Sequence, residues 1–170
     1  METYSKALNA GQYPLSVLAL NAATAGTYAQ GMYGNTMTTN PRAVEVANVV
    51  LESITPALRA NISRAGKALV RAFEELQQEL PELIVGVQGT GLLMSVVLNP
   101  ANCTVLGFGG IEEYCRFNGI GVIHGGTNSL RFTPHFGLTD AEIALIVSVV
   151  REALLALSGG QLQAKQAVAG

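Results

Sequence analysis

A long helical stretch over residues 40–80, with clear signals at both ends, is the feature that most constrains the fold. Asn40 is a good N-cap, and Pro41 suits the first helical position, where its missing N–H costs nothing. Pro56 predicts a bend or a restart because it cannot supply an interior N–H, and Pro81 closes the stretch. The apolar residues at helical spacing are Val44, Ala47, Val50, Leu51 and Ile54, then Ile62, Leu69, Phe73, Leu76 and Leu80. Such a stripe must pack against other elements.

Short apolar runs after this stretch predict a small sheet. Residues 83–98 contain two runs around the segment QGTG (88–91), which indicates strands joined or interrupted by a glycine-permitted bend. Residues 111–118 predict a short helix that ends at Gly119. Residues 120–124 and 129–133 predict a hairpin across the turn GGTN (125–128).

A capping box, Thr139 with Glu142 three residues later, predicts the start of a final helix. The residues after Ser158 predict a frayed tail. The apolar face of this helix consists of Ile143, Ile146, Val147, Val150, Leu154 and Leu157. With the preceding strands, these signals give the second half of the chain an α+β organisation.

The pattern of the first forty residues indicates part of a larger fold rather than a separate domain. Residues 13–20 (YPLSVLAL) indicate a buried strand after the turn at Asn9-Ala10-Gly11. Residues 22–33 are ambiguous between a short helix and a loop, and residues 34–40 (GNTMTTN) indicate a polar loop. A lone buried strand needs neighbours to complete its hydrogen bonds.

Composition excludes several functional classes. The chain has 170 residues, of which 49% are apolar and 13% charged, a profile typical of a globular domain. A net charge of -2 gives no electrostatic footprint for nucleic acid or an anionic membrane. Cys103 and Cys115 lack the spacing of a metal site, so we expect no metal and two free, buried thiols in a reducing cytoplasm. We also expect no signal peptide and no membrane span.

Lys6 is the first candidate for chemistry. It lies in the segment SKALNAG (5–11), between a possible strand end and a glycine turn. A lysine in a dry, tight environment favours the neutral amine, which is the nucleophile that forms Schiff bases. An exposed structural lysine is the alternative.

Thr36 is the second candidate. It lies in NTMTTNP (35–41), which leads into the long helix. Hydroxyls and free N–H groups at a helix N-terminus suit a phosphate. The alternative is that Asn40 only caps the helix and the threonines satisfy a turn, although capping leaves Thr36 unexplained.

Arg131 is the third candidate. It lies between apolar residues in the segment NSLRFTP (128–134). Its planar guanidinium can hold a substrate carboxylate through two hydrogen bonds. A structural salt bridge or an exposed edge position is the alternative.

The three segments, in this order, resemble class III aminotransferases, which are pyridoxal-phosphate (PLP) enzymes of fold type I. The stretches that carry the resemblance are SKALNAGQYPLSVLAL, GNTMTTNPRA, GTGLLMSVVL and LRFTPHFGLTDAEI. The resemblance covers roughly residues 3–157 and implies an α/β PLP-dependent transferase fold, of which this chain is a fragment. Residues 1–40 would be a remnant of the large cofactor-binding domain and 41–80 connecting helices. Residues 81–158 would be the C-terminal small domain, with long helices packed on a small sheet, and 159–170 a flexible tail.

The resemblance also implies roles for the three candidates. Lys6 would form the internal aldimine with PLP and move the proton between the substrate α-carbon and the cofactor. Thr36 would bind the cofactor phosphate in the neighbouring subunit of a homodimer, and Arg131 would bind the substrate α-carboxylate. The reaction would transfer an amino group from an amino donor to a keto acid or an aldehyde.

One part of the family's site has no counterpart in the sequence. An aspartate normally pairs with the pyridinium nitrogen of the cofactor, but Asp140 is the only aspartate, and it lies in the capping box. We therefore expect the large N-terminal domain to be missing and the chain alone to be inactive. We also expect poor solubility, because an unpaired strand over residues 13–20 would expose apolar surface and backbone edges. The alternatives are a non-catalytic dimerisation or binding module derived from an aminotransferase, or a class III aminomutase or decarboxylase relative. His135 either lines the substrate entrance or is a packed or exposed histidine, and His124 has no assigned role.

Overall fold

The computed structural model describes residues 1–32 and 40–168, with side chains described through Ser158. The chain divides into two compact units, Met1–Pro56 and Ala57–Gly170. The assignment of these segments to domains of a larger protein stays a prediction. None of the helices in the described ranges is both long enough and apolar enough to cross a bilayer.

The first unit contains a two-stranded antiparallel sheet, β1 (Glu2–Ser5) and β2 (Ser16–Ala19). The predicted buried strand over residues 13–20 is therefore wrong in three respects: it is shorter, it is paired with β1, and all four of its residues are exposed. The sequence indicated only a possible strand end before Lys6 and not the pairing of β1 with β2, because the residues of β1, ETYS, carry almost no apolar pattern. A single short helix, α1 (Ala22–Ala25), follows, and the Asn21 side chain caps it.

Helix α2 (Pro41–Ser53) begins as predicted. The Asn40 side chain accepts a hydrogen bond from the Arg42 N–H at 3.0 Å, and Pro41 takes the first helical position. The predicted apolar face is wrong in part, because α2 buries Ala43 and Ala47 and leaves Val44 and Leu51 exposed. The buried alanines are small enough for close approach, and α2 contacts the 3-10 turn formed by Lys6–Asn9.

Two long helices and a four-stranded sheet build the second unit. The elements are α3 (Pro56–Glu79), β3 (Ile84–Thr90), β4 (Leu93–Leu98), α4 (Ile111–Phe117), β5 (Ile123–Gly125), β6 (Ser129–Phe132) and α5 (Asp140–Val168). The sheet is antiparallel with the order β3-β4-β6-β5. Helix α3 restarts at Pro56, as one of the predicted alternatives had it, and ends before Pro81.

The boundaries differ from the predicted ones at two places. The hairpin between β3 and β4 turns at Gly91-Leu92, so Gln88, Gly89 and Thr90 belong to β3 rather than to the turn. The backbone of α5 stays helical through Val168, beyond the point at which the sequence predicts a frayed tail. The flexibility of residues 159–170 stays a prediction.

One face of the sheet supports the core of the second unit. Because side chains alternate along a strand, Met94, Val96 and Leu98 of β4 are buried, whereas Leu93 is exposed. The Phe73 ring of α3 packs against Phe132 of β6, with ring centroids 5.1 Å apart. The other large, fully buried side chains include Leu69, Ile84, Met94, Leu98, Ile111, Leu130, Leu138 and Leu154. The α3 stripe is thus largely confirmed.

Asn128 holds the loop after β4 against the hairpin. Its side-chain amide donates to the Leu98 and Cys103 carbonyls, and its side-chain oxygen accepts from the Val105 N–H at 3.0 Å. The Cys103 and Cys115 thiols are free and buried, as predicted, and burial raises the pKa of each thiol to about 11. Both thiols are therefore protonated and unreactive near neutral pH.

Glu142 makes the stability of the fold depend on pH. The Thr139 hydroxyl and N–H donate to its carboxylate at 2.7 and 2.8 Å, and His135 Nε2 lies 3.2 Å from it. These contacts lower the pKa of Glu142 to about 2, with the Thr139 hydroxyl as the largest cause, then the Thr139 N–H, then His135. Because the folded pKa lies below the unfolded value, this contribution is complete above about pH 4.5 and is lost as the pH falls through about 2.

We therefore expect Glu142→Gln to reduce the loss of stability on acidification. The measurement is urea unfolding at a series of acidic pH values, with Glu45→Gln as a control on an exposed helical carboxylate that makes no ion pair with a described residue. Equal slopes for the two variants would contradict the role given to Glu142.

Candidate active site

Lys6 begins the 3-10 turn Lys6–Asn9 directly after β1, which agrees with the predicted position between a strand end and a turn. Its φ of 58° lies in the left-handed region, and Ala10 at the other end of the turn has φ 55°. A residue with a β-carbon is strained in this region, and such strain is often found at functional sites. The strained turn therefore marks Lys6 as a candidate functional residue.

Lys6 lines an open cleft of about 490 Å³, together with Ser5, Tyr13 and Ser16. Lys6 itself is exposed. The dry environment expected from the sequence is thus not supplied by the described residues, and this expectation is wrong for the chain as it stands. The short β1–β2 sheet is too small to cover the amine.

Asn9 lies at the end of the same turn and was missed as a site residue by sequence reasoning. It is fully buried, and its side-chain N–H donates to the Tyr13 carbonyl at 2.9 Å. Its side-chain oxygen has no partner among the described residues. A buried acceptor without a donor is uncommon. Asn9 fixes the turn to the wall of the Lys6 cleft, but in sequence it looks like an ordinary turn residue.

Thr36 lies outside the described residues, as do the other residues of the predicted polar loop before Asn40. Its assignment to the cofactor phosphate therefore stays a prediction. The described end of that segment, Asn40, caps α2 as expected.

Arg131 lies in the second unit, on β6, with its side chain on the face of the sheet opposite to Phe132 and the core. It is exposed and makes no ion pair with any described residue. The structural salt bridge that the sequence left open is therefore absent from this part of the chain. The backbone register places Arg131 beside Ser95 of β4 and Ile123 of β5.

Gln88 and Ser95 form a polar row with Arg131 across three strands. Gln88 pairs in register with Ser95, which pairs with Arg131, and all three line a cleft of about 300 Å³. Sequence reasoning missed both polar residues. The signal was present, because Ser95 is the only polar residue within the strand LMSVVL. The arrangement places side by side a guanidinium that makes no ion pair with a described residue, an amide and a hydroxyl, which can bind one ligand together.

The remaining polar candidates have structural partners. Asp140 forms an exposed ion pair with Arg64, so the single aspartate of the chain has a surface role. His135 is exposed beside Glu142, and His124 lies with its Nδ1 3.3 Å from Glu112. Of the alternatives for His135, the exposed histidine agrees with this geometry.

The chain is similar to one known protein family over most of its length. The profile of the family described as aminotransferase class-III matches residues 1–154. The chain belongs to the class-III aminotransferase family. Its membership agrees with the resemblance carried by the lysine, Asn-Pro and arginine segments.

Two curated acetylornithine aminotransferases illustrate the similarity. The enzyme of Xanthomonas campestris pv. campestris is 32% identical over 155 residues, covering 91% of this chain and 37% of the relative. The mitochondrial enzyme of Neurospora crassa is 28% identical over 156 residues, covering 91% of this chain and 32% of the relative. The chain thus spans about a third of the length of the curated relatives it matches.

Solved structures give the same result for the fold. The N-acetylornithine aminotransferase of Stenotrophomonas maltophilia aligns with a TM-score of 0.74 and 28% identity, over 93% of this chain and 40% of that one. The ornithine aminotransferase of Toxoplasma gondii, described with partial occupancy of PLP at its active site, aligns with a TM-score of 0.78 and 23% identity, over 94% of this chain and 37% of that one. The fold is therefore part of a PLP-dependent aminotransferase of fold type I.

Proposed function

We propose that the chain carries the cofactor lysine and the substrate-carboxylate arginine of a PLP-dependent transaminase. The observation that carries the proposal is Lys6, which lies on a strained turn and lines an open cleft within a segment that matches the class-III family. The reaction would move an amino group from an amino donor to a keto acid or an aldehyde. Activity would require more polypeptide than these 170 residues.

The residues of the Lys6 cleft fit one part of a PLP site. Lys6 would hold the cofactor covalently through its amine, and it lies on a left-handed turn that lines the cleft. Asn9 would keep the turn in place, and its side-chain oxygen, which has no partner among the described residues, would accept a hydrogen bond from the complete site. When bound, PLP supplies an electron sink for the carbanion at the substrate carbon. The Lys6 amine, once released, would carry the proton to and from that carbon.

Other parts of the site would come from outside the described residues. Thr36 would bind the cofactor phosphate of the neighbouring subunit in a homodimer. Asp140 is engaged with Arg64, so the carboxylate that pairs with the pyridinium nitrogen would belong to polypeptide beyond this chain.

Arg131 would bind the substrate carboxylate. Its guanidinium makes no ion pair with a described residue and lies in a row with Ser95 and Gln88, whose hydroxyl and amide can bind the same group. We also propose a cytoplasmic location, which suits the two free thiols, although the Neurospora relative is a mitochondrial enzyme.

The proposal predicts a covalent adduct at Lys6. We expect the 170-residue chain, incubated with PLP and reduced with borohydride, to carry the modification on Lys6 in preference to Lys67 and Lys165, the other two lysines of the chain. Mass spectrometry of proteolytic peptides measures the distribution. Lys6→Arg should remove the preferred adduct while keeping the charge and the strained backbone, and Lys67→Arg should leave it unchanged.

Modification spread evenly over the lysines and the N-terminal amine would overturn the proposal that this chain holds the cofactor. It would favour the non-catalytic dimerisation or binding module instead. Family membership would be unaffected, because it rests on the match over residues 1–154.

A further inference from the structure

A second groove lies on the second unit; it shares Gly89 with the cleft of the Arg131 row and otherwise has different lining residues. An open groove of about 480 Å³ runs between α3 and the end of the β3–β4 hairpin. Its volume lies within the range of small-molecule sites, which is roughly 300–1,000 Å³. Neither Lys6 nor Arg131 lines it.

Positive charge is concentrated at this groove. Arg59, Lys67 and Arg71 line it, with Glu74 as the single carboxylate. None of the three cations forms an ion pair with a described residue, whereas the other arginines of the second unit, apart from Arg131, are neutralised. Those pairs are Arg64–Asp140, Arg116–Glu112 and Arg151–Glu79. The cations without partners in the described part of this unit are therefore gathered at two places, the Arg131 row and this groove.

Helical geometry gives the cations a fixed spacing. Lys67 and Arg71 are four residues apart on α3, so they follow one another by ~6 Å along the helix axis, with Arg59 ~12 Å from Lys67. Two adjacent cations at this spacing can hold one phosphate or diphosphate group together. The single Glu74 leaves an excess of positive charge on the groove.

The wall of the groove opposite the cations is the end of the β3–β4 hairpin, which contributes Gly89 and Gly91. A β-carbon at Gly66 would lie 2.1 Å from the Gly91 carbonyl oxygen, and one at Gly89 would lie 2.9 Å from the Val70 side chain. The hairpin therefore approaches α3 closely enough for Gly89 and Gly91 to line the groove. Strand β3 is at the edge of the sheet, so its outward backbone groups have no strand partner among the described residues. Ile62 and Val70 add apolar surface.

We propose that this groove binds a small phosphorylated organic molecule, with its phosphate or diphosphate on Lys67 and Arg71 and its organic part against Ile62 and Val70. Both the positive charge and the apolar surface would contribute to ligand binding. A solvated basic helix face offers only the charge. The site acts independently of the proposed transaminase chemistry.

The test is a titration of the 170-residue chain followed by heteronuclear NMR. Inorganic pyrophosphate and a nucleoside diphosphate are the two probes, because neither carries an aldehyde that would modify lysine. We expect saturable shifts confined to residues 59–74 and 89–91, and affinity that falls as salt is added. Tighter binding of the nucleotide than of pyrophosphate would support the contact of the organic part with Ile62 and Val70. Equal affinity of the two probes would contradict that contact.

Matched charge variants decide the outcome. Lys67→Gln combined with Arg71→Gln should weaken pyrophosphate binding at least ~10-fold, as expected for the loss of charge-assisted hydrogen bonds. Arg42→Gln combined with Arg116→Gln removes the same charge elsewhere and should change affinity less than ~2-fold. Lys67→Arg should retain binding. A folded wild-type chain without saturable shifts at the groove, or equal weakening in both double variants, would overturn the proposal.

Discussion

Gly66→Ala should destabilise the second unit by ~2 kcal/mol or more, although the same change in an ordinary helix stabilises by ~0.5–1 kcal/mol. Gly66 is buried in α3, and an added β-carbon would lie 2.1 Å from the Gly91 carbonyl oxygen and 2.7 Å from its carbonyl carbon. Both are backbone atoms, so no side-chain rotation relieves the overlap. Helix α3 and the hairpin would have to separate.

The measurement is urea unfolding followed by circular dichroism. Gly86→Ala is the matched control, because its β-carbon would meet only the Val97 side chain at 3.7 Å, an ordinary contact. We expect the control to be neutral or slightly stabilising. A Gly66→Ala variant at least as stable as wild type would show that α3 and the hairpin do not approach as closely as described. Such a result would also contradict the backbone wall described for the phosphate groove.

The sequence predicted the second unit well because its signals are local. The capping box of Thr139 and Glu142 acts on its nearest neighbours. The N-cap at Asn40 and the proline at the start of α3 are local in the same way, although both belong to the first unit. The stripe that contains Leu69 and Phe73 follows from helical periodicity alone. Signals of this kind need no knowledge of the rest of the protein.

The first unit was predicted less well because its burial depends on what surrounds it. Residues 13–20 have the composition of a buried strand, yet β2 is exposed on the two-stranded sheet that it forms with β1. The chain spans about a third of the length of the relatives it matches. Among the described residues, β2 pairs only with β1, and Lys6 is exposed.

The candidate site shows a third case, in which sequence identifies one residue and tertiary structure supplies its neighbours. Arg131 could be chosen from its apolar flanks, but Gln88 lies far from it in sequence and joins it only through strand register. Asn9 is a similar case, because its burial and its unpaired oxygen appear only in three dimensions. Single-sequence reasoning has no access to such pairings.

Phe73→Ala should cost ~3–5 kcal/mol of stability. The Phe73 side chain is 0% exposed and packs against the Phe132 ring at a centroid distance of 5.1 Å. Its removal would leave a cavity between α3 and β6 that the surrounding core cannot fill without moving. Phe117→Ala is the control, because Phe117 is 81% exposed and its loss should change stability by less than ~0.5 kcal/mol.

This variant also links the core to the candidate site. Phe132 and Arg131 are successive residues of β6 on opposite faces of the sheet, so the Phe73 contact fixes the strand that carries the Arg131 guanidinium. We expect Phe73→Ala to increase amide hydrogen exchange along β6 more than along β2, as measured by NMR under native conditions. Similar losses of stability for Phe73→Ala and Phe117→Ala would mean that α3 does not anchor β6. Contacts other than that between Phe73 and Phe132 would then hold Arg131 in position.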